Sequence, residues 1–368
     1  MKKIILTLFL STFLMLDVLA QLTVPPNGGN KLASVSERIG LTDVTINYHR
    51  PGVKGREGKI WGQLVHYGFA DLGFGTSVSA PWRAGANMNT TISFSTPVKI
   101  EGQALPAGKY GLFMAVQENE VTIIFSKNAT SWGSYYYDEK EDALRVNVKQ
   151  QKEQPLVEWL KYEFVDQTEK SATVALLWEK WKIPFKVEVD VYPLVLASMR
   201  DELRGEKGGT WQTLNEAANY CLKNNVNLEE GLSWAERSIT ERYVGDANFT
   251  TLSTKAAILR KLGKDSEADA TMKLALPKGN MLEIHQYAKA LLKEKKTQEA
   301  FEAFKLNATK NPNEYTPLVG LARGYSAIAD FKNAIKYAKL ALPLAPNDLE
   351  KDNITKMIKT LSEGKDVN

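Results

Sequence analysis

The hydrophobic pattern of this chain changes period near residue 200, and that change constrains the fold more than any other feature. From Ala33 to about Leu196 apolar and polar residues alternate, as half-buried strands require; beyond Leu203 the apolar residues recur at helical spacing. The alternating runs are Val44-Ile46-Tyr48, Ile92-Phe94, Val98-Ile100, Tyr110-Leu112-Met114-Val116, Val121-Ile123-Phe125, Leu144-Val146-Val148, Leu160-Tyr162-Phe164, Val174-Leu176 and Phe185-Val187-Val189-Val191. Turn signals such as Glu101-Gly102 and Pro106-Ala107-Gly108 stand between them. Short strands at this spacing, with no long helical stretch among them, predict an antiparallel β-sandwich, with a jelly roll as one topology open to it. The whole is therefore an α+β multidomain chain. Its expected divisions are 1–20, 21–197 and 198–368, with the break in the charged, glycine-bearing stretch from Ser198 to Gly209.

The helical half repeats itself. Setting the stretch that starts at Met281 against the one that starts at Tyr315 gives an offset of 34 residues, at which Tyr287-Ala288 matches Leu321-Ala322, Ala300 matches Ala334 and Pro312 matches Pro346. This resembles tetratricopeptide repeats, in which small residues sit where the two helices of a unit cross and a proline closes it. A shorter unit runs from Thr250 to Pro277, with Ala256, Ala268 and Ala275 in similar places. A looser one runs from Trp211 to Ile239, where Gly231 stands in for the alanine. Four units exceed the roughly three that a self-supporting solenoid needs. Asn353 to Leu361 reads as a short charged capping helix. The resemblance implies a domain that docks a protein or peptide.

The chain opens with Lys2-Lys3, an apolar run from Ile4 to Leu16 and small residues up to Ala20, the pattern of a secretory signal peptide. The expected product is exported, to the periplasm or beyond the cell, with Gln21 as its first residue. No stretch is long and apolar enough to be read as a membrane span. Removing residues 1–20 removes two lysines and one aspartate, which leaves 47 − 2 = 45 basic against 43 − 1 = 42 acidic residues, an excess of three. That balance gives no argument for a nucleic-acid partner. Cys221 is the sole cysteine, so no disulfide forms within the chain and stability rests on packed cores.

Between Tyr48 and Ile92 the alternation stops for some forty residues. His49-Arg50-Pro51-Gly52 ends a strand, because proline lacks the N–H that a ladder needs. The stretch that follows holds Trp61, Trp82 and the compact run Pro81-Trp82-Arg83-Ala84-Gly85-Ala86-Asn87, and this composition predicts an ordered loop. Tyr48-His49-Arg50-Pro51 with Lys54-Gly55-Arg56, Ile60-Trp61-Gly62, Trp82 to Asn87 with Thr90, Leu105-Pro106-Ala107-Gly108-Lys109-Tyr110, Trp132-Gly133 and Leu144-Arg145-Val146 occur in that order. In these words the first half of the chain resembles domain of unknown function 2911, a family of exported bacterial proteins; the resemblance implies no activity. His49 departs from the small polar residue that the family pattern places there.

Arg50, Lys54, Arg56, Trp61, Trp82, Arg83 and Asn87 are the candidate ligand-binding residues, since guanidinium forks take carboxylates or phosphates and indole faces offer a platform for a sugar ring. The structural alternative is that the arginines tie the loop to backbone carbonyls and to carboxylates such as Asp71 and Asp142, while the tryptophans plug the end of the sandwich. No cofactor or metal is expected. The three histidines, His49, His66 and His285, lack ligand spacing, and there is no nucleophile elbow. Asp138-Glu139 and Glu141-Asp142 read as a solvated turn rather than a glycosidase pair. The reading that results is a non-catalytic envelope protein with a ligand-binding sandwich and a protein-docking repeat domain. Its alternative is a hydrolase acting on a glycan, peptide or other envelope component through the basic loop 49–91.

Overall fold

The computed structural model describes residues 29–368, so the signal-peptide reading of residues 1–20 and its cleavage point at Gln21 lie outside the described residues. The chain divides into two compact units, one ending at Val195 and the other beginning at Leu196.

The first unit is a sandwich of two antiparallel sheets. Its strands are β1 (Lys31–Ile39), β2 (Thr42–Arg50), β3 (Thr90–Phe94), β4 (Val98–Ile100), β5 (Gln103–Leu105), β6 (Gly108–Val116), β7 (Val121–Ser126), β8 (Asp142–Val148), β9 (Val157–Val165), β10 (Ser171–Glu179) and β11 (Trp181–Glu188). One sheet has the order β1-β2-β3-β6-β7-β8 and the other β5-β4-β11-β10-β9. Consecutive strands mostly pair as neighbours, so the order is that of two meanders rather than the jelly roll that the sequence left open. The inward residues of both sheets form one core: Ile46, Ile92, Ile123, Val174, Leu176 and Phe185 are fully buried in it. Each such side chain contributes about 1.5–3 kcal/mol relative to exposure. Phe125 and Phe185 meet edge to face across the two layers at 5.8 Å.

β6 is buried on both faces from Tyr110 to Val116. Its outward Phe113 packs with Ile124 and Tyr137 in a second small cluster, closed by Phe69 from the long loop. The loop is thus part of the fold. Beyond Leu112, where β3 ends, it takes over the free edge of β6: the N–H and C=O of Trp82 exchange bonds of 2.9 and 2.8 Å with Met114, and Gly68 donates to the carbonyl of Val116 at 2.8 Å.

The second unit is helical. After α1 (Val191–Glu202) come α2 (Trp211–Asn224), α3 (Leu228–Thr240), α4 (Phe249–Lys261), α5 (Asp265–Ala275), α6 (Met281–Lys293), α7 (Thr297–Lys310), α8 (Tyr315–Ala327), α9 (Phe331–Ala341) and α10 (Asp348–Ser362). Met281 and Tyr315 open α6 and α8, and Thr297 and Phe331 open α7 and α9, each pair 34 positions apart, as the sequence repeat requires. The small residues do what the spacing predicts: Ala256, Ala268, Ala275, Ala288, Ala300, Ala322 and Ala334 are all buried between helices. The unit is a tetratricopeptide-like array of helix pairs. Asn280 starts α6 with a full capping box to Glu283, and Asn248 and Asn347 cap α4 and α10.

Two expectations need correction. Val191, read as the end of a strand run, begins α1, and that helix continues to Glu202 through much of the stretch read as a break. Pro193 does not prevent this, since a first helical turn has no N–H partner to lose. The capping helix is longer than the charged segment 353–361, because Asn347 starts it six residues earlier and Ile354, Met357 and Leu361 are buried.

Candidate functional site

The run Pro81 to Asn87 forms a tight turn. Ala84 and Asn87 both have left-handed backbones, with φ of 48° and 58°. What holds so costly a conformation is a set of buried bonds on one carbonyl. The Ala84 oxygen accepts from the Tyr162 hydroxyl at 2.8 Å and from Thr90 Oγ1 at 3.0 Å, while Trp82 Nε1 donates to the Gly85 carbonyl at 3.2 Å. Tyr162 comes from β9 in the opposite sheet, so the turn is fixed to both layers. Burial raises the Tyr162 hydroxyl well above its ordinary value, and it stays a donor.

Four indoles close this end of the sandwich. Trp61 stacks on Trp181 at 4.5 Å, Trp82 lies nearly parallel to Trp178 at 6.0 Å, and the two pairs meet edge to face. Beside them is a cavity of about 390 Å³ walled by Arg56, His66, Trp82, Arg83, Asn87, Ser134, Tyr135 and Trp178, together with Asn30 and the apolar Leu64, Val65 and Leu72. No carboxylate belongs to its lining. Two polar groups there are buried and unpaired: the indole N–H of Trp178, a residue only 1% exposed, and Nδ1 of His66.

The structure brings Arg56, Trp82, Arg83 and Asn87 together around this cavity and places Arg50, Lys54 and Trp61 outside its lining. Arg50 ties β2 to β9 through the carbonyls of Leu160 at 2.8 Å and Trp159 at 3.4 Å. Lys54 has a left-handed backbone, its N–H donates to Glu158 Oε1, and its ammonium lies 5.9 Å from the Trp159 ring. Trp61 is spent on stacking. Arg56 uses Nε and Nη2 on the carbonyls of Val53 and Gly52, at 2.9 and 2.8 Å, which folds its own turn. Arg83 donates through Nη1 to the Asn87 carbonyl at 2.7 Å, with its guanidinium 4.9 Å from the Tyr135 ring. Gly133 lies against that guanidinium so closely that a Cβ would come within 2.4 Å of Cζ. Asn87 is held by reciprocal bonds to Asn30.

Backbone carbonyls are therefore the arginines' partners, and the two carboxylates suggested by the sequence are engaged elsewhere. Asp71 accepts from the N–H of Gly73; Asp142 accepts from Arg145 and from Tyr137. Burial raises the Asp142 carboxyl, against the pull of these two donors. Among the described residues no three histidine, cysteine, aspartate or glutamate side chains gather as metal ligands would. The sequence reading left out His66, Tyr135 and Trp178. Trp178 belongs to the core, lines the cavity with Arg83 and carries a buried N–H that has no partner. The pairing of Trp178 with Trp181 across the β10–β11 turn was the available signal.

Comparison with known proteins adds a family to this geometry. Residues 30–187 match the family described as Protein of unknown function (DUF2911). The match spans the sandwich from β1 almost to the end of β11, and it carries no activity. No curated protein matches the chain. Among solved structures, MamA 41-end from Desulfovibrio magneticus RS-1 is 19% identical, with a TM-score of 0.28 over 44% of this chain and 92% of that one. A Podosopora anserina protein with nearly identical TPR-like repeats, described as a kinesin light chain, is 13% identical, with a TM-score of 0.30 over 42% and 85%. The Cut9-Hcn1 heterotetramer of the APC/C gives 17%, 0.30, and 48% and 36%. At such identities and scores the likenesses carry no functional weight, and the repeat reading rests on the helix pairs themselves.

Proposed function

We propose that this is a non-catalytic binding protein in which the DUF2911 domain holds a small carboxylate- or phosphate-bearing ligand and the helical repeats dock a protein or peptide. The observation that carries the first part is the cavity's polarity. Arg56, Arg83 and the buried N–H of Trp178 are donors, and no acidic side chain stands among them. A guanidinium with N–H groups to spare beside an unpaired indole donor offers an anion the charge-assisted bonds that water-excluded sites make strong. The lining holds no carboxylate pair of the kind that glycoside hydrolysis uses. The leader-like residues 1–20 support export to the periplasm or beyond the cell.

Titration of the full chain with inorganic phosphate and with glucuronic acid, followed by tryptophan fluorescence, tests this reading. The expected result is a saturable change with at least one of them. Trp178→Phe keeps the ring packing and removes the N–H, and it should weaken binding at least fivefold. Arg83→Lys should weaken it similarly and lower stability by no more than about 1 kcal/mol, the scale of the single bond to Asn87. No saturable change with either anion, or unaltered binding in both variants, would overturn it.

A further inference from the structure

An aromatic surface continues outward from the cavity of the sandwich. Phe74 of the β2–β3 loop meets Trp132, Tyr135 and Tyr136 of the β7–β8 loop at ring distances of 5.8, 5.2 and 6.3 Å, and Trp132 lies 5.4 Å from Tyr135. These are the spacings of rings packed in a core. Yet Phe74 and Trp132 are each 52% exposed and Tyr136 is 45% exposed. Contiguous open apolar surface of this kind is characteristic of places where a partner or ligand binds.

Hydrogen bonds fix the patch in position. The Tyr135 carbonyl accepts from the N–H of Thr76 at 3.0 Å and from that of Ser77 at 2.9 Å, and Gly75 lies against it where a Cβ would not fit. On the other side of Trp132, Asn89 donates its N–H to the Ser131 carbonyl and its Nδ2 to the Asn128 carbonyl, both at 3.1 Å.

Tyr135 joins the patch to the cavity. It lines the cavity with Arg83, whose guanidinium is 4.9 Å from its ring, and it touches both Phe74 and Trp132. A ligand whose anionic group sits among Arg56, Arg83 and the buried Trp178 N–H therefore has aromatic rings beside its exit. Phe74 stands at 78° to Trp132, 88° to Tyr135 and 77° to Tyr136. The rings fill the space between one another, so they form an outward surface rather than a cage around a cation. A flat nucleobase would cover only one of them. A chain of pyranose rings is puckered and turns at each linkage, so successive units reach differently inclined rings. Each unit sets an apolar C–H face on such a ring and keeps its hydroxyls in water, and a uronic acid unit adds the carboxylate that the cavity's donors bind.

We infer that the sandwich takes an acidic oligosaccharide, with the carboxylate of one uronic acid unit in the cavity and the neighbouring sugar units on Phe74, Trp132 and Tyr136. This rests on the reading of the cavity as an anion site and adds to it a subsite for the rest of the glycan.

Isothermal titration calorimetry of the full chain with galacturonic acid, tetragalacturonic acid, cellotetraose and uridine monophosphate tests the inference, in wild type and in the Trp132→Ala and Tyr136→Ala variants. Tetragalacturonic acid should bind at least thirtyfold more tightly than galacturonic acid, beyond the statistical gain from its repeated units. Cellotetraose, which has the rings without the carboxylates, should bind at least tenfold more weakly than tetragalacturonic acid. Each variant should lose at least fivefold in affinity for the tetramer and keep its affinity for the monomer, which also shows that the cavity is still folded. Equal binding of monomer and tetramer, or wild-type tetramer affinity in both variants, would overturn the inference and leave the anion site standing. Binding of none of the three acids would overturn both. Uridine monophosphate bound more tightly than the tetramer and dependent on Trp132 would assign the patch to a nucleotide, and a dimer in sedimentation equilibrium that Trp132→Ala dissociates would assign it to a second copy of the chain; either result overturns the inference.

Discussion

His285 is buried on α6 with its ring 5.4 Å from Phe304, and Nδ1 has no hydrogen-bond partner. Burial first, then the charges of Lys289 and Arg323, push its pKa from the ordinary 6.5 down to about 4. Between those values the unfolded chain holds the proton and the folded one does not, so stability is complete above about pH 6.5 and falls as pH drops toward 4. The slope approaches roughly 1.4 kcal/mol per pH unit for one such group. Urea unfolding across this range should show wild type losing stability relative to His285→Leu, and parallel curves would contradict the assignment. At this scale the sequence spoke clearly about residue type and poorly about direction. That Arg50 and Arg83 are anchored cations could be read from their neighbours; that one ties strands while the other faces a cavity depends on Trp159, Leu160 and Tyr135, which lie far along the chain.

Among the elements, the most legible were those with one buried face. β2 and β11 show the alternation of the sequence in their burial, since the inward residues are mostly apolar and the outward ones mostly polar. β1 was hard to see because it is an edge strand, whose inward side carries only Ala33, Val35 and Ile39. α1 was misread for a different reason: Val191, Tyr192, Val195 and their neighbours have strand propensity, and tertiary packing of Leu194 and Leu196 overrides it. Gly231 on α3 was correctly placed as a small residue, and the structure gives the reason. A Cβ there would lie 2.6 Å from Cβ of Cys221 on α2. Alanine at an open helical position stabilises by about 1 kcal/mol over glycine, but overpacking costs about 1–3 kcal/mol. Gly231→Ala should therefore destabilise the chain by about 0–2 kcal/mol in urea unfolding, and a gain in stability would show that the α2–α3 crossing has room.

For the whole molecule, the change of period in the sequence corresponds to the change of unit, but the boundary between Val195 and Leu196 falls inside a helix. Val191 and Leu194 pack on the β core; Leu196, 3% exposed, and Leu203, 8% exposed, belong to the helical core with Leu214, Ala218 and Trp234. A helical piece made as residues 204–368 lacks both leucines. It should be less stable than a piece made as 191–368 by about 3–6 kcal/mol, the contribution of two buried leucines. Denaturant unfolding of the two pieces checks this, and equal midpoints would assign α1 to the sandwich alone. The sequence could not show this division because a helix shared by two cores has no break in its own pattern.

The tryptophan quartet at the end of the sandwich is also a chromophore. Indoles stacked at 4.5 Å with 11° between their planes share their excited states, and Trp61 and Trp181 should give the far-ultraviolet circular dichroism a paired positive and negative band of their own. Trp61→Phe or Trp181→Phe should erase it, while Trp211→Phe, on α2 of the helical unit, should leave it intact. Since Trp82 and Trp178 touch both that pair and the cavity beside Arg83, any molecule entering the cavity will announce itself in this band without a label.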